Sequence, residues 1–427
     1  MVVGCRNKKE LKELICSLLL GKLFDTLKII GYILLVQGQT PDHSPGRSLL
    51  IQGWMGINHS YALVNQYQLL SFIKDKSINL FHQEMPYFSK QWSKEKNGAG
   101  FTDQEQQQFS NVKNYSGEPI SAIYRIYSPF NLENSEVKIV SFINTEVGLD
   151  QKSFGGNLDI RSYQSAGNLV VTSSAWSRER IIDFGFSPES VLVVPHGVSS
   201  NKFSPLEKNI RNASRVALGY TENDVVFLNV GAPFWNKGMD LILKAYFRVR
   251  EKRKNVHLLI KDQQTLYGLS AQNMIGKMAT DGEIKLDNGA IESIKIIPST
   301  LSLEQLRTLY GLADYYISPY RAEGFNLPVI EAIACGTKAI VTAGGSTDDF
   351  CDNLTSIKVP STKHEHLVLQ NTKISAYLEP DFDALVEIWN KCAKGSCLNS
   401  LHFSFGRCDL LEKFTWDRAA RLLTTLI

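Results

Sequence analysis

The sequence predicts an α/β protein made of two doubly wound, Rossmann-like domains that face a central cleft. The chain has 427 residues, which is more than one compact core usually accommodates. Its composition, 43% hydrophobic and 21% charged, is typical of a folded protein. Segments with strand-like and helix-like patterns alternate along most of the chain, and this alternation indicates parallel sheets covered by helices.

The first domain is predicted over residues 48–203. Helices are expected between several of its strands, and the first of them begins at His59. Residues 84–118 are polar and poorly periodic, which indicates either a functional excursion or local mobility. The strands are expected near residues 48–53, 78–83, 122–127, 137–143, 168–174 and 191–197.

The second domain is predicted over residues 204–410, after a connection around residues 199–209. Helices are expected from Met239, near residues 303–313 and around Pro328. Ligands of doubly wound sheets bind at the carboxyl ends of the strands, so the cleft between the two domains is the expected site. The strands are expected near residues 225–231, 256–261, 294–298, 314–319, 338–343 and 356–359.

Residues 1–47 are predicted to be an N-terminal extension and linker. Within them, residues 11–36 carry apolar side chains near helical spacing, with lysines among the polar positions. This pattern predicts an amphipathic helix, which either docks on the protein or lies on a membrane surface. Both alternatives remain open.

Charge and cysteine usage exclude several classes of protein. The formal net charge is +3 and no dense stripe of lysine and arginine appears, so nucleic acid is not an expected partner. The seven cysteines are scattered and lack CxxC pairs, which favours a reducing compartment. Neither a clean signal peptide nor an apolar run of membrane-spanning length is present. We therefore expect a cytoplasmic protein, either free or peripheral at the inner face of a membrane.

Residues 323–336, EGFNLPVIEAIACG, place two carboxylates around the start of a short helix. Pro328 suits the first helical turn and Gly336 suits the stop, so Glu323 is expected on the loop and Glu331 about one turn into the helix. A helical side chain leans toward the amino end, which directs Glu331 to the same loop.

Between these acids, backbone amides lie near the positive end of the helix dipole. An anion or a polyhydroxyl ligand would bind well there, since carboxylates accept strongly from neighbouring hydroxyl groups. The alternative is that Glu323 and Glu331 only favour the start of the helix. The amides belong to Gly324, Phe325 and Asn326.

The motif Glu323-Gly324-Phe325-Asn326, with Glu331 eight residues after the first acid, resembles the signature of a known family. That family is the retaining, nucleotide-sugar-dependent glycosyltransferases of the GT-B fold, called group 1 or family 4. The similarity is collinear from roughly residue 168 to 420. It includes SSAWSRERIIDFGFSPESVLVVPHGVSSNKFSP, VGAPFWNKGMDLILKAY and LSLEQLRTLYGLADYYISPYRAEGF.

The resemblance implies a role for each matching residue of the second domain. Glu331 would bind the nucleotide ribose, Glu323 the donor sugar, and Lys237 the diphosphate, where it would offset charge on the leaving group. Glu323 and Lys237 are accordingly candidate catalytic residues. The other implied donor-binding positions are Gly231, Gly324, Phe325, Asn326 and Leu327. Residues 411–427 would be a C-terminal helix that crosses back to the first domain.

Two positions depart from the family pattern. Ala232 stands where relatives often have an arginine, so Asn236, Arg321 or Lys261 is expected to contact the phosphates instead. Asn326 replaces a glycine, and asparagine enters the positive-φ region more readily than most residues.

The first domain resembles the family more weakly. Gly56, Asn58 and His59 follow the first strand and are candidates for the acceptor or phosphate side of the cleft. Glu146 follows the strand at residues 137–143 and is a third candidate catalytic residue, as an acid or base on the acceptor side. A carboxylate that is simply solvated is the alternative.

No metal and no cofactor are expected. Asp381 and Asp383 have DxD spacing, but Asp381 is better placed as a helix N-cap. His364 and His366 lie in a predicted polar loop without a third ligand. The resemblance implies a UDP- or GDP-sugar as co-substrate and a glycan, a lipid or a small molecule as acceptor. The alternative function is a nucleotide-sugar-binding or regulatory module without turnover.

Overall fold

The computed structural model describes residues 47–98, 100–156, 158–369, 372–395, 397 and 400–427. The amphipathic helix predicted at residues 11–36 lies outside the described residues. In the described part of the chain, no helix combines the length and the hydrophobicity needed to span a bilayer.

A seven-stranded parallel sheet forms the first domain, in the order β3-β2-β1-β4-β5-β6-β7. The reversal of strand order beside β1 makes the sheet doubly wound. The elements are β1 (Arg47–Gly53), α1 (Ser60–Phe72), β2 (Ile78–Glu84), α2 (Lys94–Asn97), α3 (Asp103–Ser110), β3 (Lys113–Asn114), β4 (Ala122–Ile126), β5 (Lys138–Phe142), α4 (Ile160–Ser165), β6 (Leu169–Thr172), α5 (Ala175–Phe184) and β7 (Val191–Val193).

A six-stranded parallel sheet forms the second domain and has the same winding, β10-β9-β8-β11-β12-β13. Its elements are α6 (Lys208–Ala217), β8 (Val225–Val230), α7 (Met239–Lys252), β9 (Val256–Lys261), α8 (Gln264–Tyr267), α9 (Ala271–Thr280), α10 (Asn288–Glu292), β10 (Ile294–Ile297), α11 (Leu303–Leu312), β11 (Tyr315–Ser318), α12 (Leu327–Ala334), β12 (Lys338–Thr342), β13 (Ser356–Val359), β14 (Ser361–Leu369), β15 (Thr372–Pro380), α13 (Phe382–Cys392), α14 (Ser400–Lys413) and α15 (Trp416–Leu426).

The predicted α/β class with two Rossmann-like domains is confirmed. Each predicted strand is present, and the largest difference is at residues 191–197, where β7 covers only Val191–Val193. The excursion at residues 84–118 contains two short helices, α2 and α3, and the edge strand β3.

The antiparallel hairpin β14–β15 was not predicted. His364 and His366 therefore lie on a strand, and the prediction of a polar loop there is wrong. β14 is mostly polar, so its sequence lacks the hydrophobic alternation that would indicate a strand. In β15, however, Ile374, Ala376 and Leu378 alternate as buried residues, which is the ordinary strand period.

The last helix, α15, packs on the first domain. Trp416, Ala419 and Leu423 belong to the same hydrophobic core as the strands of the first sheet. The Trp416 ring stacks on Tyr67 of α1 at 4.8 Å between ring centroids. Because the chain returns in this way, the two domains are connected at residues 199–209 and again through α15.

Candidate active site

A cleft of about 1070 Å³ lies between the two sheets. Its lining includes residues just beyond the carboxyl ends of strands from both domains. Trp54 follows β1 and Asn144 follows β5, while Gly231 follows β8 and Gln263 follows β9. This is the position at which doubly wound sheets bind ligands, because the turns there leave backbone groups unpaired.

Lys237 is one of the residues that line this cleft. It ends a 3₁₀ turn, Trp235–Lys237, that leads into α7. Its Nζ lies 2.5 Å from Glu146 Oε1 of the first domain and 2.7 Å from Glu323 Oε2 of the second. Asn236 Nδ2 donates to the other Glu146 oxygen at 2.6 Å. Lys237 therefore contacts both of the other predicted catalytic residues.

Burial and charge act in opposite directions in this triad. Burial alone lowers the pKa of Lys237, but the carboxylates of Glu146 and Glu323 outweigh it and hold the pKa above its ordinary value. Burial raises the pKa of Glu323, and the neighbouring lysine only partly offsets this. Lys237 is therefore a permanent cation between two acids.

The helix α12 begins as its sequence predicts. Pro328 lies in its first turn, Asn326 precedes it with φ 74° and ψ 63°, and Gly336 follows it with φ 88°. Glu331 lies one turn into the helix, lines the cleft and is buried. Its Oε2 accepts a hydrogen bond of 2.8 Å from the Tyr310 hydroxyl. Burial raises the pKa of Glu331 to about 8, although the Tyr310 hydrogen bond lowers it.

The two domains touch at Gly324. Its carbonyl oxygen accepts hydrogen bonds from Ser173 Oγ at 2.9 Å and from Ser174 Oγ at 2.5 Å. A Cβ on Gly324 would lie 2.0 Å from Asn144 Nδ2. Ser173 Oγ also lies 2.7 Å from Asn144 Oδ1, so its one hydroxyl proton is shared between this oxygen and the Gly324 carbonyl, and the contact holds the amide in position. The absence of a side chain at Gly324 therefore permits the close approach.

Gly324→Ala is expected to destabilise the fold by about 1–3 kcal/mol, because the added methyl group must displace a fixed amide or separate the domains. Thermal denaturation measures the effect. Gly276→Ala is the matched control, since Gly276 lies within α9 and a Cβ there meets open space. That control should gain about 0.5–1 kcal/mol from helix propensity. Equal melting temperatures for the Gly324 variant and the wild type would contradict the prediction.

The predicted residues of the first domain are not all in the cleft. Asn58 and His59 line it, and His59 Nδ1 accepts a hydrogen bond from Tyr61 N at 3.1 Å, as an N-cap of α1. Burial lowers the pKa of His59 to about 4, so the ring is neutral near pH 7. The prediction that Gly56 faces the cleft is corrected, because Gly56 is not among the residues that line the cleft. Its amide donates to Gln66, and a Cβ at this position would lie 2.7 Å from the Lys94 side chain.

Two of the three residues expected to replace the missing arginine are near the site. Lys261 lines the cleft, and burial lowers its pKa to about 8. Asn236 already contacts Glu146. Arg321 is not available, since it pairs with Asp240 at 2.7 Å and with Glu379 at 2.8 Å. The expectation that Arg321 contacts phosphates is therefore not supported.

The remaining implied donor-binding residues surround the triad. They line the cleft next to Lys237 and the start of α12, namely Gly231, Gly324, Phe325, Asn326 and Leu327. The ring of Phe325 packs instead against His196 and Phe350, which leaves the contribution of this residue to its backbone. Their roles in binding stay predictions.

No cluster of three potential metal ligands is found in the described ranges of the chain. Asp381 Oδ1 accepts from Ala384 N at 2.9 Å, which makes it the N-cap of α13. Asp383 is exposed and pairs with Arg248 on the surface. His364 stacks on Tyr377 within the hairpin. The DxD spacing therefore reflects a helix start.

Sequence reasoning missed several cleft residues. Tyr310, which donates to Glu331, comes from α11, and the sequence contains no local signal for this contact. Trp92 and Tyr267 also line the cleft, although one belongs to the excursion and the other to α8. Aromatic residues within polar segments, such as PYFSKQW at 86–92, were the available indication.

Residues 210–374 match the family model described as "Glycosyl transferases group 1". The match covers the triad residues Lys237 and Glu323, the start of α12 and Glu331. Residues 210–374 are therefore similar to group 1 glycosyltransferases. This range contains all six strands of the second sheet, β8 to β13, and also β14.

Curated proteins similar to this chain match it over less than half of its length. The D-inositol 3-phosphate glycosyltransferase of Geodermatophilus obscurus is 31% identical over 186 residues, 42% of this chain and 39% of that protein. The MMP alpha-(1->4)-mannosyltransferase of Mycolicibacterium hassiacum is 30% identical over 180 residues, 42% of this chain and 37% of that protein. The match thus spans about two fifths of these relatives.

Solved glycosyltransferase structures resemble nearly the whole chain. One of these structures is HepE of Anabaena, crystallised in complex with UDP and glucose. It has a TM-score of 0.64 at 13% identity, and the alignment covers 88% of this chain and 98% of the HepE chain. WaaG, a glycosyltransferase involved in lipopolysaccharide biosynthesis, has a TM-score of 0.57 at 16% identity, over 88% and 99%. At these identities the likeness shows the fold, which is GT-B.

Proposed function

We propose that the protein transfers a glycosyl group from a nucleotide-diphosphate sugar, UDP- or GDP-linked, to an acceptor hydroxyl. The observation that carries this proposal is the position of Lys237 between Glu323 and Glu146, beside the amino end of α12. A fixed cation and unpaired helix amides stabilise a diphosphate leaving group. The group 1 family match, which includes Lys237, Glu323 and the start of α12 but not Glu146, supports it.

The charges of the site indicate how the donor binds. A diphosphate brings negative charge to a lysine that already has two carboxylate partners. We propose that Glu146 moves aside, because its side chain is 39% exposed whereas that of Glu323 is 11% exposed. The carboxylate oxygens of Glu146, which can accept a hydrogen bond from a hydroxyl group, then face the acceptor side. This position is consistent with a role for Glu146 as an acid or base there. The ribose hydroxyls would donate to Glu331.

The transfer itself breaks one bond and forms another. The bond between the anomeric carbon and the β-phosphate oxygen breaks, and the acceptor oxygen bonds to the same carbon. The electron pair of the broken bond stays on the diphosphate, next to Lys237. The acceptor proton passes to a phosphate oxygen, so that no protein base is obligatory. Retention of the anomeric configuration is part of this proposal and rests on the resemblance to the retaining family.

We propose that the protein is cytoplasmic, because scattered cysteines favour a reducing compartment. The described cysteines, Cys335, Cys351, Cys392, Cys397 and Cys408, are all free. Contact between residues 11–36 and a membrane stays a prediction, and so do the domain boundaries.

A binding or regulatory module is the second candidate, because Ala232 is buried where relatives often have arginine. Incubation with a panel of UDP- and GDP-sugars, with acceptor carbohydrates, separates the two functions. We expect nucleotide release that depends on one donor and speeds up with an acceptor. Binding of a sugar nucleotide without any release across the panel would favour the module instead.

A further inference from the structure

A row of aromatic side chains lines one side of the cleft, and we call it the aromatic wall. It consists of Phe234, Tyr267, Trp92, His59 and Phe88. The ring centroids follow one another at 5.3 Å, 6.2 Å, 5.2 Å and, from Trp92 to Phe88, 6.5 Å. The wall therefore extends from the turn before Lys237 to the mouth of the cleft.

Both domains contribute to the aromatic wall. Trp92 comes from the excursion at residues 84–118 and donates through Nε1 to the carbonyl oxygen of Leu266 at 3.0 Å. This hydrogen bond joins the excursion to the α8 segment of the second domain. Residues of the excursion therefore form part of the cleft. The sequence alone did not decide between a functional excursion and local mobility.

Phe88, at the outer end of the aromatic wall, is exposed to solvent instead of being packed in the core. The Phe88 side chain is 69% exposed, yet it lines the cleft. Exposing a large apolar ring to water is unfavourable, and such rings at a cleft mouth mark ligand contacts. The faces of aromatic rings carry partial negative charge, which attracts the C–H groups on the face of a sugar ring.

The charge distribution along the cleft is uneven. Among the cleft-lining residues that the structure describes, the lysine and arginine side chains are Lys237 and Lys261. Both lie on the second domain, and Lys261 neighbours the donor turn, since Gly231 N donates to its carbonyl oxygen at 3.0 Å. His59 adds no positive charge near neutral pH. The polar residues that accompany the wall are neutral, namely Asn58, Ser60, Ser89, Gln91, Ser128 and Gln263.

We propose that the acceptor is an uncharged carbohydrate whose ring stacks on the aromatic wall, and that Phe88 and Trp92 determine this specificity. The proposal rests on the proposed function. A phosphorylated acceptor would need a cation to replace its lost hydration. The two described lysines of the lining lie at the donor end of the cleft, and Lys237 is already paired with Glu146 and Glu323. Neutral amides and hydroxyls suit the hydroxyl groups of a sugar, while the rings cover its apolar face.

The first test compares matched acceptor probes, each with its phosphate ester. Glucose with glucose 6-phosphate, maltose with maltose 1-phosphate, and myo-inositol with its 1-phosphate are added with the sugar nucleotide that is turned over fastest. We expect the neutral member of a pair to raise nucleotide release more than its ester. Saturation-transfer NMR of the same probes, with UDP or GDP present, reports their binding separately. Preference for the esters would overturn the proposal.

The second test removes the exposed ring. Phe88→Ala is expected to lower kcat/KM for the neutral acceptor about tenfold, by raising the acceptor KM, and to leave the KM of the sugar nucleotide unchanged. Phe88→Tyr should restore activity, because tyrosine keeps an aromatic face. Phe405→Ala is the matched control, since Phe405 is 65% exposed on α14, outside the cleft lining. An unchanged acceptor KM in Phe88→Ala would overturn the proposal.

Failure of the proposed function gives a different result. If no sugar nucleotide is turned over, the NMR experiment still decides the carbohydrate site. A neutral probe whose signal is lost in Phe88→Ala and kept in Phe405→Ala supports the site. The absence of a signal from every neutral probe would overturn it.

Discussion

Lys237→Ala is expected to lower kcat for glycosyl transfer by about 100- to 1000-fold, the usual effect of removing one group that stabilises a developing negative charge. The physical reason is the position of Nζ, 2.5 Å and 2.7 Å from two cleft carboxylates, where it is held as a cation by their charge. Without it, the departing diphosphate would lie beside the Glu323 carboxyl group with no cation between them. Steady-state nucleotide release with the preferred donor measures the effect.

Two variants make this result specific. Lys237→Arg keeps the charge but changes its geometry, and we expect it to retain part of the activity. Lys391→Ala removes a lysine from an exposed i,i+4 pair with Glu387 and should leave kcat unchanged. Melting temperatures exclude unfolding as the cause. A Lys237→Ala protein that is folded and has kcat within fivefold of the wild type would contradict a leaving-group role for Lys237.

The fold was predictable because its elements carry local signals. Apolar runs such as VVFL at the start of β8 indicate strands buried on both faces, and Pro328 with Gly336 marks the two ends of α12. The β14–β15 hairpin was missed because β14 is mostly polar and pairs only with β15. The β14–β15 hairpin is therefore determined by strand pairing, which the residue pattern of β14 does not indicate.

The site was predictable only where its residues are close in the sequence. Glu323 and Glu331 share one loop and helix, so their common direction follows from helix geometry. The contact of Glu146 with Lys237, by contrast, joins residues of different domains, and each residue alone is compatible with a solvated surface position. The hydrogen bond from Tyr310 to Glu331 likewise depends on how α11 packs against α12.

Glu331→Ala is expected to weaken binding of the sugar nucleotide by roughly 10- to 100-fold, through the loss of two charge-assisted hydrogen bonds to the ribose. The affinity of the wild type should also depend on pH. Burial raises the pKa of Glu331 to about 8, so this carboxyl group is mostly protonated at pH 7 before the donor binds. If the ribose hydroxyls bind the ionised form, affinity rises with pH up to about 8 and levels above it.

Isothermal titration calorimetry with UDP or GDP between pH 6 and 9 measures this dependence. Below the pKa of Glu331, the Kd should fall by up to tenfold for each pH unit, because binding must release one proton. Glu331→Gln cannot ionise and should lose this component of the pH dependence. Tyr310→Phe removes the hydroxyl group that stabilises the carboxylate, which raises the pKa of Glu331 further and moves the midpoint to higher pH. The same pH dependence in the wild type and in Glu331→Gln would contradict the prediction that ribose binds the ionised form of Glu331.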